Sequence, residues 1–237
     1  MKKFSFVLAL VSVLLLSLSV VSANTVVHWR FTGEEGERPE VLENSYGIPA
    51  YVVQLEPTGV YYVDDALYFD NPTATNNDGS FLYCLDTDPL DLAGWQGLTF
   101  EVIFNPSTIR QCVLLRKTEG TSNNGYQLVI TNNGSLAFFL GSSMGSKYAV
   151  TDAGAVVPGQ WYHVAATWDG DRMRIFLDGV EVANTLYLDE LEHTSGHLGI
   201  GALVRTTALD NIGQYFHGYI REIRISDRAL DPSEFLK

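Results

Sequence analysis

The sequence of 237 residues has only two cysteines, no segment rich in lysine and arginine, and one long apolar run, at its beginning. Two cysteines are too few for a disulfide-built scaffold or for a zinc site of four thiolates. The 15 lysines and arginines are outnumbered by 28 aspartates and glutamates, so the formal net charge is −13. Without a basic face we expect no binding to nucleic acid. An acidic surface repels anionic lipids and polysaccharides but is compatible with calcium and with neutral glycans.

The composition is that of an ordinary globular protein. Hydrophobic side chains make up 46% of the residues and charged side chains 18%, which excludes a disordered or low-complexity chain. A domain of roughly 200 residues buries about 70% of the surface that its unfolded chain exposes, enough for a self-sufficient core. No long linker rich in proline, serine or glycine divides the sequence. We therefore expect one domain.

The apolar run at the start is typical of a secretory signal peptide. Lys2 and Lys3 precede an apolar segment over 4–21, and Val21-Ser22-Ala23 offers the small residues that signal peptidase needs. An uncleaved membrane anchor is the alternative, because about 18 apolar residues nearly span a bilayer. The small residues at the end of the run and the lack of flanking charge favour cleavage after Ala23.

Cleavage there defines a signal peptide over 1–23 and a mature domain over 24–237. Losing two lysines and no acidic residue makes the mature chain still more acidic. No second apolar segment of spanning length follows. We therefore expect a protein that is secreted, extracellular or periplasmic, with no membrane insertion after the signal is cleaved.

Most of the mature sequence alternates between apolar and polar residues with a period of two, which predicts β-strands. The candidate strands cover residues 26–31, 50–54, 67–70, 80–85, 98–104, 111–116, 126–131, 136–140, 161–168, 172–177, 180–183, 198–201 and 215–226. About a dozen strands with almost no helix predict an all-β fold, namely a sandwich, jelly roll or barrel.

Turn and cap residues delimit several of these strands. Asp169-Gly170 and Asp178-Gly179 permit the positive φ of tight hairpin turns, so residues 161–183 are expected to form a three-stranded meander. At the end of the chain, Asp231 and Glu234 have the spacing of a capping box, and Pro232 suits a first helical position. This pattern predicts a short C-terminal helix.

Two segments resemble the laminin-G-like jelly roll of the concanavalin A-like superfamily. The first is residues 159–182, GQWYHVAATWDGDRMRIFLDGVEV, which are similar to that family's Trp, His-Val-Ala and pair of Asp-Gly turns. The second is residues 216–235, FHGYIREIRISDRALDPSEF, which are similar to the family's closing strand and short helix. The shorter matches VVHWRF, ALYFD, LTFEVIF and LGIG occur in the family's order. The resemblance implies a two-sheet antiparallel sandwich. It also implies a non-catalytic module that recognises a glycan or an extracellular protein.

A carbohydrate-active enzyme, either a glycoside hydrolase or a polysaccharide lyase, is the main alternative, and a purely structural surface protein is the third. Glycosidases need two carboxyl groups about 5–9.5 Å apart, and laminarinase-like members carry them on one strand as Glu-x-Asp-x-x-Glu, a run that is missing here. Glu101 is alone on its strand, and we expect it to contact Arg224 or Arg221. His163 is expected to be a structural histidine, and we expect no catalytic residue.

The resemblance also implies a structural calcium ion near the turn that follows ALYFD. Asp70 is the matching carboxylate, and further oxygen ligands at 2.3–2.6 Å are expected from Asn71, Asn77 and Asp78. The closing strand carries Arg221 where the family usually has an acidic residue. Arg221 could therefore replace the ion by pairing with Asp70.

Secretion also bears on the two cysteines. An oxidising compartment permits a disulfide, and Cys84 and Cys112 lie on candidate strands expected to be neighbours. We expect a disulfide between them. The alternative is a pair of buried free thiols.

Ligand binding is expected in two stretches that are longer and more irregular than a jelly roll needs, 71–79 and 202–214, because loops on a rigid sandwich usually carry recognition. The aromatic and polar candidates are Tyr46, Tyr61, Tyr62, Tyr148, Arg205, Asp210 and Asn211. The tyrosine rings are expected to stack on sugar C–H groups in a common groove. The alternative is that these tyrosines only seal the edge of the sandwich and that the loops are solvated spacers.

Overall fold

The computed structural model describes residues 25–118, 124–205 and 207–237. The predicted signal peptide and Asn24, the first residue of the predicted mature domain, lie outside the described residues. Two antiparallel sheets of eight strands each form the described fold, so the predicted all-β sandwich is confirmed. Within those ranges, no helix has the length and apolar character needed to cross a bilayer.

The first sheet is built from strands that come from both ends and from the middle of the chain. They are β1 (Thr25–Arg30), β4 (Gly59–Val63), β5 (Ala66–Asp70), β7 (Leu98–Pro106), β12 (Tyr162–Trp168), β13 (Arg172–Leu177), β14 (Val180–Leu186) and β18 (Gly218–Ser226). Their order in space is β14-β13-β12-β7-β18-β5-β4, and β1 pairs with part of β18.

The second sheet packs against the first. Its strands are β2 (Val41–Leu42), β3 (Ala50–Val53), β6 (Phe81–Cys84), β8 (Cys112–Thr118), β9 (Gly125–Ile130), β10 (Leu136–Ser142), β11 (Gly145–Val150) and β15 (Leu198–Ile200). Their order is β11-β10-β9-β8-β15-β6-β3-β2. A small separate ribbon pairs β16 (Leu203–Val204) with β17 (Ile212–Gly213).

Two-residue turns fix the register of two hairpins. Asp178 and Gly179 join β13 to β14 with φ of 50° and 80°, as the sequence predicted. Asp64 and Asp65 join β4 to β5 with φ of 49° and 57°. Two successive positive φ values are the signature of a type I′ turn, whose twist matches that of the flanking strands. Aspartate tolerates this left-handed backbone better than most residues do.

Alternation along the strands places one set of side chains in the core between the sheets. On β7 the core residues are Leu98, Phe100, Val102 and Phe104, none of them exposed. The ring of Phe100 lies 4.7 Å from that of Tyr126 on the opposite sheet and 6.0 Å from that of Phe138. Burying one such side chain stabilises the fold by roughly 1.5–3 kcal/mol.

The C-terminal segment covers part of the outer face of the first sheet. The predicted helix is a single 3-10 turn over Pro232–Glu234, and Asp231 and Glu234 form the predicted capping box. Leu230 and Phe235 pack on Ala165 of β12 and on Phe176 of β13. This cover explains why these outward-facing residues are buried.

The predicted disulfide is wrong, because Cys84 and Cys112 are both buried free thiols. Cys84 on β6 lies opposite Leu198, which in turn lies opposite Lys117 near one end of β8. Cys112 is the first residue of β8, at its other end. At about 3.3 Å per residue the two Cα atoms are separated by roughly 16 Å along the strands alone. A disulfide needs a separation below about 7 Å.

Candidate ligand-binding site

Four aromatic side chains form a row across the outer face of the first sheet. Tyr61 on β4 lies opposite Tyr68 on β5, and Tyr68 lies opposite Tyr219 on β18. Trp161 directly precedes β12, and its ring centroid is 6.1 Å from that of Tyr219. The other two centroid distances are 5.4 Å for Tyr61 and Tyr68 and 4.6 Å for Tyr68 and Tyr219. We call these four residues the aromatic row.

The pleat of the strands places the row outside. Each tyrosine has a core residue beside it in sequence, such as Val60 beside Tyr61, Leu67 beside Tyr68 and Ile220 beside Tyr219. All four rings of the row are partly exposed.

The row crosses five adjacent strands, from β4 through β5, β18 and β7 to β12. At about 4.8 Å per strand it is roughly 19 Å long. On β7, Asn105 lies opposite Tyr219 and is also partly exposed. The row therefore offers ring faces, phenol groups and one amide over a length suited to an oligosaccharide.

A cation stacks on Trp161, and a cleft flanks the row beside the β4–β5 turn. The pairing of β18 is irregular between Ile220 and Glu222, which marks a β-bulge at Arg221. The guanidinium carbon of Arg221 lies 4.2 Å from the centroid of the Trp161 ring, within the range of a cation–π interaction. Arg221 also lines a cleft of about 640 Å³ together with Arg30, Thr32, Asp64 and Asp65.

A smaller cleft of about 250 Å³ lies at the Tyr61 end. Arg38, Glu56 and Asp70 contribute charged side chains to its lining. The Nη1 of Arg38 donates to the Oε1 of Glu56 at 2.5 Å, and its Nη2 donates to the carbonyl of Thr58 at 3.2 Å. The aromatic row thus meets polar groups that can bind hydroxyls at its Tyr61 end and beside the β4–β5 turn.

The phenols of Tyr61 and Tyr68 are held in the protonated form. Burial raises the pKa of Tyr61 and of Tyr68, and the negative charge of Asp70 raises both further. A hydrogen bond with Ser107 lowers the pKa of Tyr68 without reversing the shift. Because the ordinary value is already about 10, both groups can donate a hydrogen bond at any physiological pH.

The residues expected to bind calcium are occupied by contacts within the protein. Asn71 is fully buried, and its Oδ1 accepts a hydrogen bond from the Ser80 amide while its Nδ2 donates to the carbonyls of Ser80 and Phe216. The Oδ1 of Asn77 accepts from the amide of Ile212. These amides hold the segment after β5 against the segment before β18.

The two aspartates expected to bind calcium, Asp70 and Asp78, make different contacts. Both oxygens of Asp78 accept hydrogen bonds from Thr75, whereas Asp70 lines the cleft beside Tyr61. The described residues contain no group of three or more His, Cys, Asp or Glu side chains that could hold a metal ion. Of the four expected ligands, Asn71, Asn77 and Asp78 are thus engaged within the protein, and the calcium ion stays a prediction. The alternative of an Arg221–Asp70 pair is not supported either, because Arg221 stacks on Trp161.

The four tyrosines expected to share one groove do not do so, and that expectation is wrong. Tyr61 belongs to the aromatic row, but Tyr62 points into the core and is 8% exposed. Tyr46 lies in the loop between β2 and β3, and Tyr148 lies on β11 of the second sheet. Alternation separates Tyr61 from Tyr62, since successive side chains of a strand point to opposite faces.

The polar candidates lie on the small ribbon beside the second sheet. The Nη1 of Arg205 donates to the Oδ1 of Asn211 at 3.0 Å, and Asp210 precedes Asn211 in the same turn. The expected loop 202–214 therefore exists, but it is not next to the aromatic row.

Sequence reasoning missed Tyr68, Tyr219, Trp161 and Asn105 as candidates for ligand binding. A signal for two of them was present, because ALYFD and GYI each place a tyrosine between apolar residues on a predicted strand. Such a tyrosine must point away from the core if its neighbours point inward.

The remaining singled-out residues have structural roles. Glu101 is fully buried, and its Oε2 accepts from the Nε of Arg224 at 2.5 Å, which confirms the expected contact with Arg224. The Nε2 of His163 lies 3.1 Å from the Oε1 of Glu101. His163 is thus bonded to a neighbouring side chain, as expected for a structural histidine.

The comparisons with known proteins agree with this architecture. A laminin G family model, described as Concanavalin A-like lectin/glucanases superfamily, matches residues 76–235. The chain belongs to this superfamily. The matched region includes β18 and Trp161, while β4 and β5 with Tyr61 and Tyr68 precede it. No curated protein matches the chain.

Solved structures of this superfamily's fold include two informative relatives. One is domain 4 of AbnA, an extracellular arabinanase of Geobacillus stearothermophilus, whose structure was solved in complex with arabinotriose. It is 17% identical to this chain with a TM-score of 0.58, and the match covers 90% of this chain and 96% of that one. The other is the receptor binding domain of botulinum neurotoxin C/D mosaic serotype, which is 14% identical with a TM-score of 0.62. That match covers 89% of this chain and 49% of the toxin domain. This chain thus spans about half the length of the toxin domain. Identities this low show a common fold.

Proposed function

We propose that this protein is a secreted, non-catalytic carbohydrate-binding module that binds a neutral oligosaccharide along the aromatic row. The observation that carries the proposal is the alignment of Tyr61, Tyr68, Tyr219 and Trp161 at one level of five adjacent strands. Partly exposed rings fixed on a rigid sheet can stack on the C–H faces of successive sugars. Phenol groups and the Asn105 amide can then bind hydroxyls at the sides.

The charge of the protein favours a neutral ligand on this face. The chain carries an excess of acidic residues, and Asp70, Asp64 and Asp65 line the two clefts beside the row. A polyanion would be repelled there. The AbnA relative supports the same ligand class, because it is matched over nearly its whole length and its structure contains arabinotriose.

The proposal of a non-catalytic role rests on the contacts of Glu101, the fully buried carboxylate of the first sheet. Glu101 is bound by Arg224, by His163 and by the amide of Leu236. A carboxylate engaged in this way holds the C-terminal segment, and it is not poised to protonate a glycosidic oxygen.

Isothermal titration calorimetry with arabinotriose and a panel of neutral oligosaccharides tests the proposal. The variants Tyr219→Ala and Trp161→Ala should each raise the dissociation constant at least about tenfold, a loss of roughly 1.4 kcal/mol. Tyr219→Phe keeps the ring and should retain most of the affinity. Tyr46→Ala is the matched control, because Tyr46 is an exposed tyrosine on a loop away from the row.

The melting temperature of each variant shows whether the fold is intact. Absence of binding to every neutral oligosaccharide would refute the proposal. So would equal binding by the native protein and by well-folded Tyr219→Ala and Trp161→Ala variants. Binding to an extracellular protein through the row, with no glycan involved, would favour the protein-recognition alternative instead.

A further inference from the structure

A second row of side chains crosses the outer face of the opposite sheet. Tyr148 on β11 lies opposite Phe139 on β10, and Phe139 lies opposite Gln127 on β9. Gln127 lies opposite Arg116 on β8, and Arg116 lies opposite Gly199 on β15. The Nε2 of Gln127 donates to the hydroxyl of Tyr148 at 3.4 Å. Four side chains of different chemistry are thus brought to one level of this sheet.

The position of Gly199 explains where this row ends. A Cβ atom on Gly199 would lie 2.5 Å from the carbonyl oxygen of Ala202 and 3.0 Å from a methyl group of Val204. The chain after β15 therefore folds back over the sheet at this glycine. Leu203 packs on the outward-facing residues of neighbouring strands, including Val113 on β8 and Val129 on β9. This packing fixes the small ribbon, β16 and β17, directly beside Arg116.

The ribbon brings a second arginine, Arg205, to the same place. Burial and the positive charge of Arg205 together lower the pKa of Arg116 to about 10, although the phenol of Tyr148 opposes the shift. Arg116 lies opposite Gly199, and Val204, which directly precedes Arg205, contacts the Gly199 position, so the two arginines come from adjoining segments. A pair of neighbouring cations is unexpected in a chain with 28 acidic residues and 15 lysines and arginines.

The hydrogen bonds of the two guanidinium groups leave donors available. The Nε of Arg116 donates to the Oγ1 of Thr118 at 2.9 Å, and within the described residues its two Nη groups have no acceptor. Arg205 uses its Nη1 for Asn211. A guanidinium fork is complementary to a carboxylate. A partly buried pair of arginines is stabilised when an anion lies between them.

We propose that Arg116 and Arg205 form a second binding site, on the face opposite the aromatic row, that takes the carboxylate of an acidic sugar. Gln127 and Tyr148 are placed to bind the sugar's hydroxyls, and the ring of Tyr148, which is 48% exposed, can stack on its C–H face. The strong negative charge of the rest of the chain disfavours a polyanion. The site is therefore suited to a single or terminal acidic residue, either a hexuronic acid or a sialic acid.

This inference is independent of the proposed function, because the two sites lie on opposite sheets. Glucuronic acid and N-acetylneuraminic acid are the probes, and the methyl ester of each acid is the control for the carboxylate. Calorimetry should show binding of one or both acids and at least tenfold weaker binding of the corresponding ester. Which acid binds identifies the source of the carboxylate.

Variants distinguish this site from the aromatic row. Arg116→Gln and Arg205→Gln should each weaken binding of the acid at least tenfold, while Tyr219→Ala should leave it unchanged. Arg172→Gln is the matched control, because Arg172 also donates to an asparagine, Asn184, but lies on the other sheet. Arg205 is on the ribbon turn, so its variant remains informative even where Arg116→Gln impairs folding.

Three results would overturn the inference. One is no binding of either acid at millimolar concentration by the native protein. The second is equal affinity for acid and ester. The third is unchanged binding by a folded Arg205→Gln variant whose melting temperature matches that of the native protein.

Discussion

Arg224 on β18 lies directly opposite Glu101 on β7, and the side chain of Glu101 is fully buried. One carboxylate oxygen accepts from the Nε of Arg224, and the other accepts from the amide of Leu236 at 2.7 Å. The Nη2 of Arg224 donates to the carbonyl of Glu234 at 2.7 Å. These two side chains therefore attach the C-terminal segment to the centre of the first sheet.

Replacing Arg224 should destabilise the protein strongly. Arg224→Met leaves the buried charge of Glu101 without its main partner, which costs about 3–5 kcal/mol. Urea denaturation of both proteins measures the difference. Arg38→Met is the control, since the Arg38–Glu56 pair is exposed, with side chains 40% and 76% accessible, and should cost about 1 kcal/mol or less. Equal losses in the two variants would contradict the interpretation.

The contact between His193 and Asp91 should make part of the stability pH-dependent. The hydrogen bond and the negative charge of Asp91 raise the pKa of His193 above its ordinary value. The folded state therefore binds this proton more tightly than the unfolded state does. The stabilisation is complete below the unfolded pKa of about 6.5 and is lost as the pH rises through the folded pKa.

Melting temperatures of the native protein and of His193→Gln test this pH dependence. The native protein should be the more stable of the two at about pH 5.5, and the difference should vanish at about pH 8.5. Asp91→Asn should remove the same difference. A gap of constant size across this range would show that His193 acts by packing alone.

The two cysteines should behave as inert thiols. Burial raises the pKa of Cys84 and raises that of Cys112 to about 12, so neither forms the reactive thiolate at neutral pH. A thiol reagent should label neither residue in the native protein and both after denaturation without reductant. A non-reduced protein that lacks labelled thiols in denaturant would indicate a disulfide after all.

Tyr62 should matter for stability and its neighbour Tyr61 for binding. A Cβ on Gly33 would lie 2.3 Å from the Tyr62 ring, so the ring packs directly on this glycine. Tyr62→Ala should cost about 3–5 kcal/mol, as for other large aromatic residues, while Tyr62→Phe should change little. Tyr61→Ala should cost less stability but weaken oligosaccharide binding. Loss of binding in a stable Tyr62→Phe protein would contradict this division.

Much of the fold could be predicted from the sequence, because alternation and turn residues are local signals. The strands predicted over 98–104 and 161–168, the turn at Asp178-Gly179 and the capping box at Asp231 are all confirmed. The strand β4 was missed. Its residues, GVYYV, show no alternation of apolar and polar types, so the pattern does not distinguish the two faces.

The candidate site was harder to predict than the fold. The members of the aromatic row come from positions 61, 68, 161 and 219, and only the pairing of distant strands brings them together. The disulfide was wrong for the same reason, because strands β6 and β8 are separated by β15, which comes from much later in the chain. Register between distant strands depends on tertiary packing and is not a local property.

The Asp64-Asp65 turn has a consequence for ligand choice. Its two positive φ values set the pairing of β4 with β5, and that pairing alone decides that the phenol at position 61 is available to solvent and the one at 62 is not. Inserting or deleting one residue at this turn would exchange the two tyrosines. It would bury a binding group and expose a core group without altering either side chain. In the proposed binding mode, this turn therefore decides which of the two tyrosines faces the oligosaccharide.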